Sequence, residues 1–224
     1  MTQPAMKRLL IARHGNTFAP GDTVVTVGSR NDLPLVDKGM AQAVALGEAL
    51  ARSNRRPTVV FAGALQRQYR FAEIVLQTLQ LDLPVRQDAR LNEIDFGDWT
   101  GLSDQQIQDR FGAEEFAAWH QRSQFPTGDR WGESEAQVIA RVADFCRDLP
   151  RHLPNPKDCA LVVSSNGALR YFLRLVPGLF DQRNGQAAVR MKTGHVSEFV
   201  QDEAGWRLNL WDQNPANLEL SQPF

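Results

Sequence analysis

Three short runs of branched apolar residues, at 9–12, 58–62 and 160–164, are each followed by small or polar residues and then by a segment with helical spacing. That alternation constrains the chain more than anything else in it and predicts an α/β sheet. Met40, Ala43, Val44, Gly47 and Leu50 recur at helical spacing, as do Leu65, Ala72, Leu76 and Leu79, and later Val138, Val142, Phe145 and Leu149. Such stripes cover the faces of a sheet. Ser103 with Gln106 and Ser134 with Gln137 have the form of capping boxes, so two further helices are expected to begin there. Runs at 196–200 and 206–211 flank the turn-like Asp202-Glu203-Ala204-Gly205 and predict a hairpin at a sheet edge. With 224 residues and an apolar fraction of 42%, the chain suits one domain over residues 1–224. The loops at 20–35 and 124–132 are too short for linkers and are expected to lie over a site.

Twenty-five lysines and arginines nearly balance 26 aspartates and glutamates, so no broad positive field exists to gather nucleic acid or an anionic membrane. Any anion must be captured locally. No apolar run approaches the roughly 20 residues that cross a bilayer, and Met1 to Arg8 lacks a signal peptide's apolar stretch, so a cytoplasmic location is expected. Cys146 and Cys159 lack metal-type spacing and are expected to be buried free thiols.

In an open α/β sheet, ligands collect at the carboxyl ends of the strands. After the first run comes Arg13-His14-Gly15-Asn16-Thr17, a fixed cation and a nucleophilic imidazole beside a residue that lets an anion approach the backbone. An imidazole nitrogen can attack phosphorus when its other nitrogen donates a hydrogen bond that fixes the tautomer. Adjacent arginines keep it neutral and spread the transferring charge. A structural histidine, hydrogen-bonded at a strand end, is the competing reading. Arg67 falls in the first turn of the second helix, where the helix dipole disfavours a cation unless an anion lies between them. Arg70, one turn on, reads as exposed. Glu93 and Asp95 point the same way if their segment is extended, and either can protonate a leaving alkoxide or pair structurally with Arg13, Arg67 or Arg90.

In their order along the chain these residues resemble the histidine phosphatase superfamily, the group that includes phosphoglycerate-mutase-like enzymes. The resemblance runs through Arg13-His14-Gly15 with Thr17, Asp32-Leu33-Pro34-Leu35 with Gly39 and Gln42, Leu65 with Arg67, Leu91 with Glu93, Gly97 with Trp99 and Gly101, and Gly132-Glu133-Ser134 with Arg141. It implies a three-layer αβα sandwich, a mostly parallel sheet with helices on both faces, and no metal or cofactor. It also implies a phosphohistidine intermediate. By carry-over His14 is the nucleophile, Arg13 and Arg67 clasp the phosphate, and Glu93 is the acid and then the base for water. Asn16 is assigned to the phosphate as well, with Thr17 a further candidate.

The resemblance breaks after the run at 160–164. Members of the family carry a second histidine there, within a His-Gly pattern leading to an arginine; aligning that arginine with Arg170 puts Ser165 in the histidine's place. The backbone N–H groups of 165–167, with Asn166 among them, and the Ser165 hydroxyl are expected to hold a phosphate oxygen at a helix start. A charge-assisted contact contributes about 1.5–3 kcal/mol, so its loss slows turnover roughly tenfold to more than a hundredfold unless another group compensates. His195, in Lys192-Thr193-Gly194-His195 before a strand, is the candidate for compensation, against an ordinary hydrogen-bonding role; Lys192 is a second. His120 and His152 carry no reason to be catalytic.

Three functions follow: a phosphatase acting on phosphate monoesters of a small metabolite, a catalytically impaired phosphate-binding member of the same fold, and, last, a phosphoglycerate mutase. The family's mutases carry an insertion after the acid segment that residues 98–111 lack. Cap segments are expected around 18–36 and 103–132, made aromatic by Phe18, Phe111, Phe116, Trp119 and Trp131, with Arg30 and Arg122 as cations for a second acidic group. Trp206 and Trp211 on the edge hairpin call for a cover, either a second copy in a homodimer or the tail 214–224.

Overall fold

The computed structural model describes residues 6–218. Among them β1 (Lys7–Arg13), β2 (Val59–Ala62), β3 (Val85–Gln87), β4 (Cys159–Ser164), β5 (Val196–Asp202) and β6 (Gly205–Gln213) form one sheet in the order β3-β2-β4-β1-β5-β6. The first four in that order are parallel, and β5 and β6 are antiparallel additions. Because side chains alternate across a strand, Leu9, Ile11, Phe61, Val162 and Phe199 fill a core on one face and Leu10, Ala12, Val60, Leu161 and Val163 a core on the other. α1 (Asp37–Arg52) and α2 (Gln66–Leu79) cover the second face. α4 (Ala113–Arg122) and α5 (Glu135–Asp148) cover the first. The result is the three-layer αβα architecture. Strands buried on both faces are apolar at every position, which is why their runs stood out.

Both capping boxes form, Ser103 opening α3 (Asp104–Phe111) and Ser134 opening α5. In α1 the buried stripe is Ala43, Leu46, Gly47, Ala49 and Leu50; Val44, placed in the stripe from its spacing, is 38% exposed. The edge hairpin turns at Glu203-Ala204, with Asp202 opposite Gly205. Both of its tryptophans make contacts within the chain. Trp211 packs on Phe199 and under the Arg183 guanidinium, while Trp206 is partly buried in the same core. Of the tail 214–224, Leu218 is buried in the core on the opposite face, and residues 219–224 lie outside the described residues. Cys146 and Cys159 are free, and burial pushes both thiol pKa values up to about 12. No helix among the described residues is long and apolar enough to cross a membrane.

Arg13 at the end of β1 lies beside Ser164 at the end of β4, Ala62 of β2 is one strand further, and the antiparallel β5 starts at the same edge, Val196 beside Ala12. Segments 13–17, 63–67, 165–167 and 193–195 therefore meet at one end of the sheet.

Candidate active site

The first residue past β1 is His14, whose backbone N–H donates to Ser164 O at 3.1 Å and so continues the pairing with β4. Its side chain is 6% exposed. Nδ1 lies 2.8 Å from Gly15 O, a contact that makes Nδ1 the protonated nitrogen and leaves Nε2 as the nitrogen that carries the lone pair. Burial, then the charges of Arg67 and Arg13, hold the imidazole pKa well below its ordinary value. The ring is neutral at neutral pH. Gly15 is required where it stands, since a Cβ there would overlap the Gly39 carbonyl at the start of α1.

Arg67, the second residue of α2, donates from Nε to His14 Nε2 at 3.3 Å, from Nη1 to Asn31 O at 2.9 Å and from Nη2 to Gly28 O at 2.8 Å. One guanidinium thus ties the nucleophile to the loop above it. Arg13 donates from Nη1 to Met191 O at 2.7 Å, and its Nε is buried without a hydrogen-bond partner among the described residues. Burial lowers its pKa to about 10 against the pull of Glu93, so it stays charged at neutral pH.

Glu93 is 9% exposed and accepts from Ile94 N at 2.9 Å and Gly167 N at 3.2 Å. A side chain at 167 would collide with its Oε1. Residues 92–96 are not a strand, so Glu93 and Asp95 do not act as a pair: Asp95 meets Arg30 at 2.7 Å and Gly97 N at 3.0 Å. Arg90 pairs with Asp88 and Asp148 instead.

Around His14 opens a cavity of about 490 Å³, lined also by Arg13, Asn16, Thr17, Arg67, Glu93, Asn166 and Gly167. Asn16 accepts from Thr193 Oγ1 at 2.7 Å, and its backbone N–H donates to Gln42 Oε1 at 2.9 Å. Ser165 ends elsewhere than expected. It is buried outside the lining, its Oγ accepting from Gln68 Nε2 at 2.8 Å, and it precedes the short α6 (Asn166–Leu169). The Gly167 N–H expected for a phosphate is taken by Glu93, and Asn166 Oδ1 accepts from Met191 N at 2.8 Å.

His195 does not line the cavity. Its Nδ1 sits 2.9 Å from Asp212 Oδ1 on β6, so the strand pairing that brings its backbone beside Arg13 turns its ring toward the hairpin. His120, set aside in the sequence, is the second histidine of the lining; burial and the charges of Arg190 and Arg170 lower its pKa to about 4 despite Asp104. The cations at the mouth are Lys38 and Arg190 rather than Arg30, which pairs with Asp95, or Arg122. Phe18, Phe96, Trp99 and Trp119 form the aromatic wall. Phe111, Phe116 and Trp131 pack behind Trp99 instead. Lys38, at the start of α1, and Arg190, in the loop after α7, were missed because single exposed cations far apart in sequence carry no pattern. Among the described residues no group of three or more His, Cys, Asp or Glu side chains comes together to hold a metal.

Known proteins resemble this chain in sequence and in fold. A curated 2,3-bisphosphoglycerate-dependent phosphoglycerate mutase from Methylobacterium sp. (strain 4-46) is 34% identical over 178 residues, 78% of this chain and 83% of the relative. A mycobacterial glucosyl-3-phosphoglycerate phosphatase superposes with a TM-score of 0.75 at 26% identity, over 92% of this chain and 99% of the other. The α-ribazole phosphatase from Shigella flexneri gives 0.71 at 27% identity, over 92% and 96%. The sequence model of the histidine phosphatase superfamily (branch 1) matches residues 9–214, and the chain belongs to that superfamily.

Proposed function

We propose that the protein hydrolyses phosphate monoesters of a small metabolite through a phosphohistidine on His14. The observation that carries this reading is the state of the imidazole: protonated at Nδ1 by its contact with Gly15 O, neutral, and with Nε2 meeting the Arg67 guanidinium in a cavity that Arg13 also lines. Nε2 attacks phosphorus while the ester P–O bond breaks, and Arg13 and Arg67 take the charge of the transferring oxygens. The leaving oxygen receives the Glu93 proton. Glu93, then a carboxylate, takes a proton from a water whose oxygen attacks phosphorus while the N–P bond breaks and its electron pair returns to Nε2, which releases phosphate and restores the imidazole. A cavity of about 490 Å³ falls within the range of small-molecule sites, roughly 300–1,000 Å³, and supports a metabolite over a phosphoprotein.

The test is hydrolysis of an aryl phosphate. The wild type turns over and forms an acid-labile phosphoenzyme, whereas His14→Ala loses both; equal turnover by the two proteins sinks the mechanism. Two observations favour other readings. Ser165 in place of a second histidine favours a phosphate binder without turnover, and affinity for phosphate with no hydrolysis of a broad ester panel would select it. The mutase relative favours phosphoryl retention. Mixing labelled phosphoenzyme with 3-phosphoglycerate decides that point, because a phosphatase passes the label to water.

A further inference from the structure

Beside the catalytic cavity lies a second one of about 500 Å³, lined by Arg13, Arg183, Arg190, Lys192, Trp211 and Asp212 among others. Arg13 and Arg190 belong to both linings. The second lining holds four cationic side chains and one carboxylate. That carboxylate is already engaged, since Asp212 Oδ1 accepts from the Lys192 backbone N–H at 2.7 Å and meets His195 Nδ1 at 2.9 Å. None of the four cations forms an ion pair among the described residues.

Their positions are set by the fold. α7 (Leu179–Gly185) ends in a turn whose Ala187 takes a left-handed φ of 54°, and that turn brings the chain back so that Ala188 N donates to Arg183 O at 2.9 Å. Met191 is held from both sides, its N–H by Asn166 and its carbonyl by Arg13, which anchors Arg190 and Lys192 between them. Arg183 packs 5.8 Å from the Trp211 ring centre. Arg190 also lies close enough to Arg13, Arg170 and His120 to lower the pKa of each. Like charges gathered this way repel one another, and an anion between them relieves the repulsion.

We propose that this second cavity binds a compact small molecule carrying two or three carboxylates, and that its occupancy weakens phosphate capture at His14. The coupling follows from shared groups. Arg13 and Arg190 serve both cavities, so an anion in one draws on the field available to the other, and the weakening is reciprocal. Binding stands on its own, whereas the effect on turnover rests on the phosphatase reading.

Citrate is the probe, with calorimetric binding and aryl phosphate kinetics as the readouts. Arg183→Gln/Lys192→Gln changes only the second lining and Lys38→Gln only the first. The double variant should bind citrate at least tenfold more weakly than the wild type, and Lys38→Gln should differ by less than about threefold. Arg183→Lys/Lys192→Arg keeps the charge, controls for folding and should retain most of the affinity. In turnover, citrate should raise KM for the wild type and leave the double variant unaffected. No citrate binding by the wild type overturns the proposal, as does binding that Lys38→Gln weakens and the double variant does not. Normal citrate binding without any hydrolysis would instead refute the proposed activity and leave the site standing.

Discussion

β1 carries an arginine near each end, and the two ends are opposite in electrostatic character. Arg8 donates to Glu198 of β5 at 2.6 Å, and the same carboxylate takes Arg55 at 3.1 Å and Asn209 at 2.6 Å. Burial pushes the Glu198 pKa up, but Arg55, Asn209 and Arg8 outweigh it and hold the value below the ordinary carboxylate range. At the other end Arg13 has a carbonyl for one nitrogen, no partner for Nε among the described residues, and as charged neighbours the carboxylates Glu93 and Asp212 beside the cations Arg190 and Arg67, none of them in an ion pair with it. Where the chain neutralises its own charge the result is fold. Where it gathers cations and leaves them short of carboxylates, the missing charge is that of the ligand.

Removing one group from each end breaks this comparison in different observables. Glu198→Gln removes the buried carboxylate that Arg55 and Arg8 both meet, and breaking such a buried pair costs about 3–5 kcal/mol. Urea unfolding should show that loss, with turnover normal for whatever fraction remains folded. Arg13→Gln removes one of several like charges, so its unfolding midpoint should stay level or rise, while kcat/KM for an aryl phosphate falls roughly 100- to 1,000-fold, the scale of losing one transition-state donor. Should Arg13→Gln destabilise the protein as much as Glu198→Gln does, Arg13 is structural and the contrast fails.

Much of this division was legible in the sequence because local order carried it. The runs that became β1, β2 and β4, both capping boxes, the hairpin turn and the sequence positions of His14, Arg67 and Glu93 are all features of contiguous residues. β3 escaped notice because it is three residues, Val85–Gln87, with a single apolar side chain. The cavity mouth was illegible for a different reason. Lys38, His120 and Arg190 come from α1, α4 and the loop after α7, and only tertiary packing brings them together. His195 shows the converse error. Its backbone reaches the right place, but antiparallel pairing with β6 gives its ring to Asp212, a contact 17 residues away in sequence that no local pattern announces.

The smallest effect separates the two ends of β1 by pH. His14 has its folded pKa held well below 6.5, so above that pH the imidazole is neutral folded or unfolded and contributes no slope. As pH falls below 6.5 the unfolded chain takes up a proton that the folded chain refuses, and stability declines. His14→Ala lacks this term. Its stability relative to the wild type should therefore improve by about 1 kcal/mol between pH 7.5 and 5.5, measured as paired urea titrations at the two values. Glu198 acts in a lower window, since its stabilisation is fully present above the ordinary carboxylate value of 4.5 and is lost as pH falls through its depressed folded pKa. A Glu198→Gln difference that is flat from pH 7.5 to 5.5, beside a His14→Ala difference that is not, would assign the first loss of stability on acidification to the catalytic end of the strand.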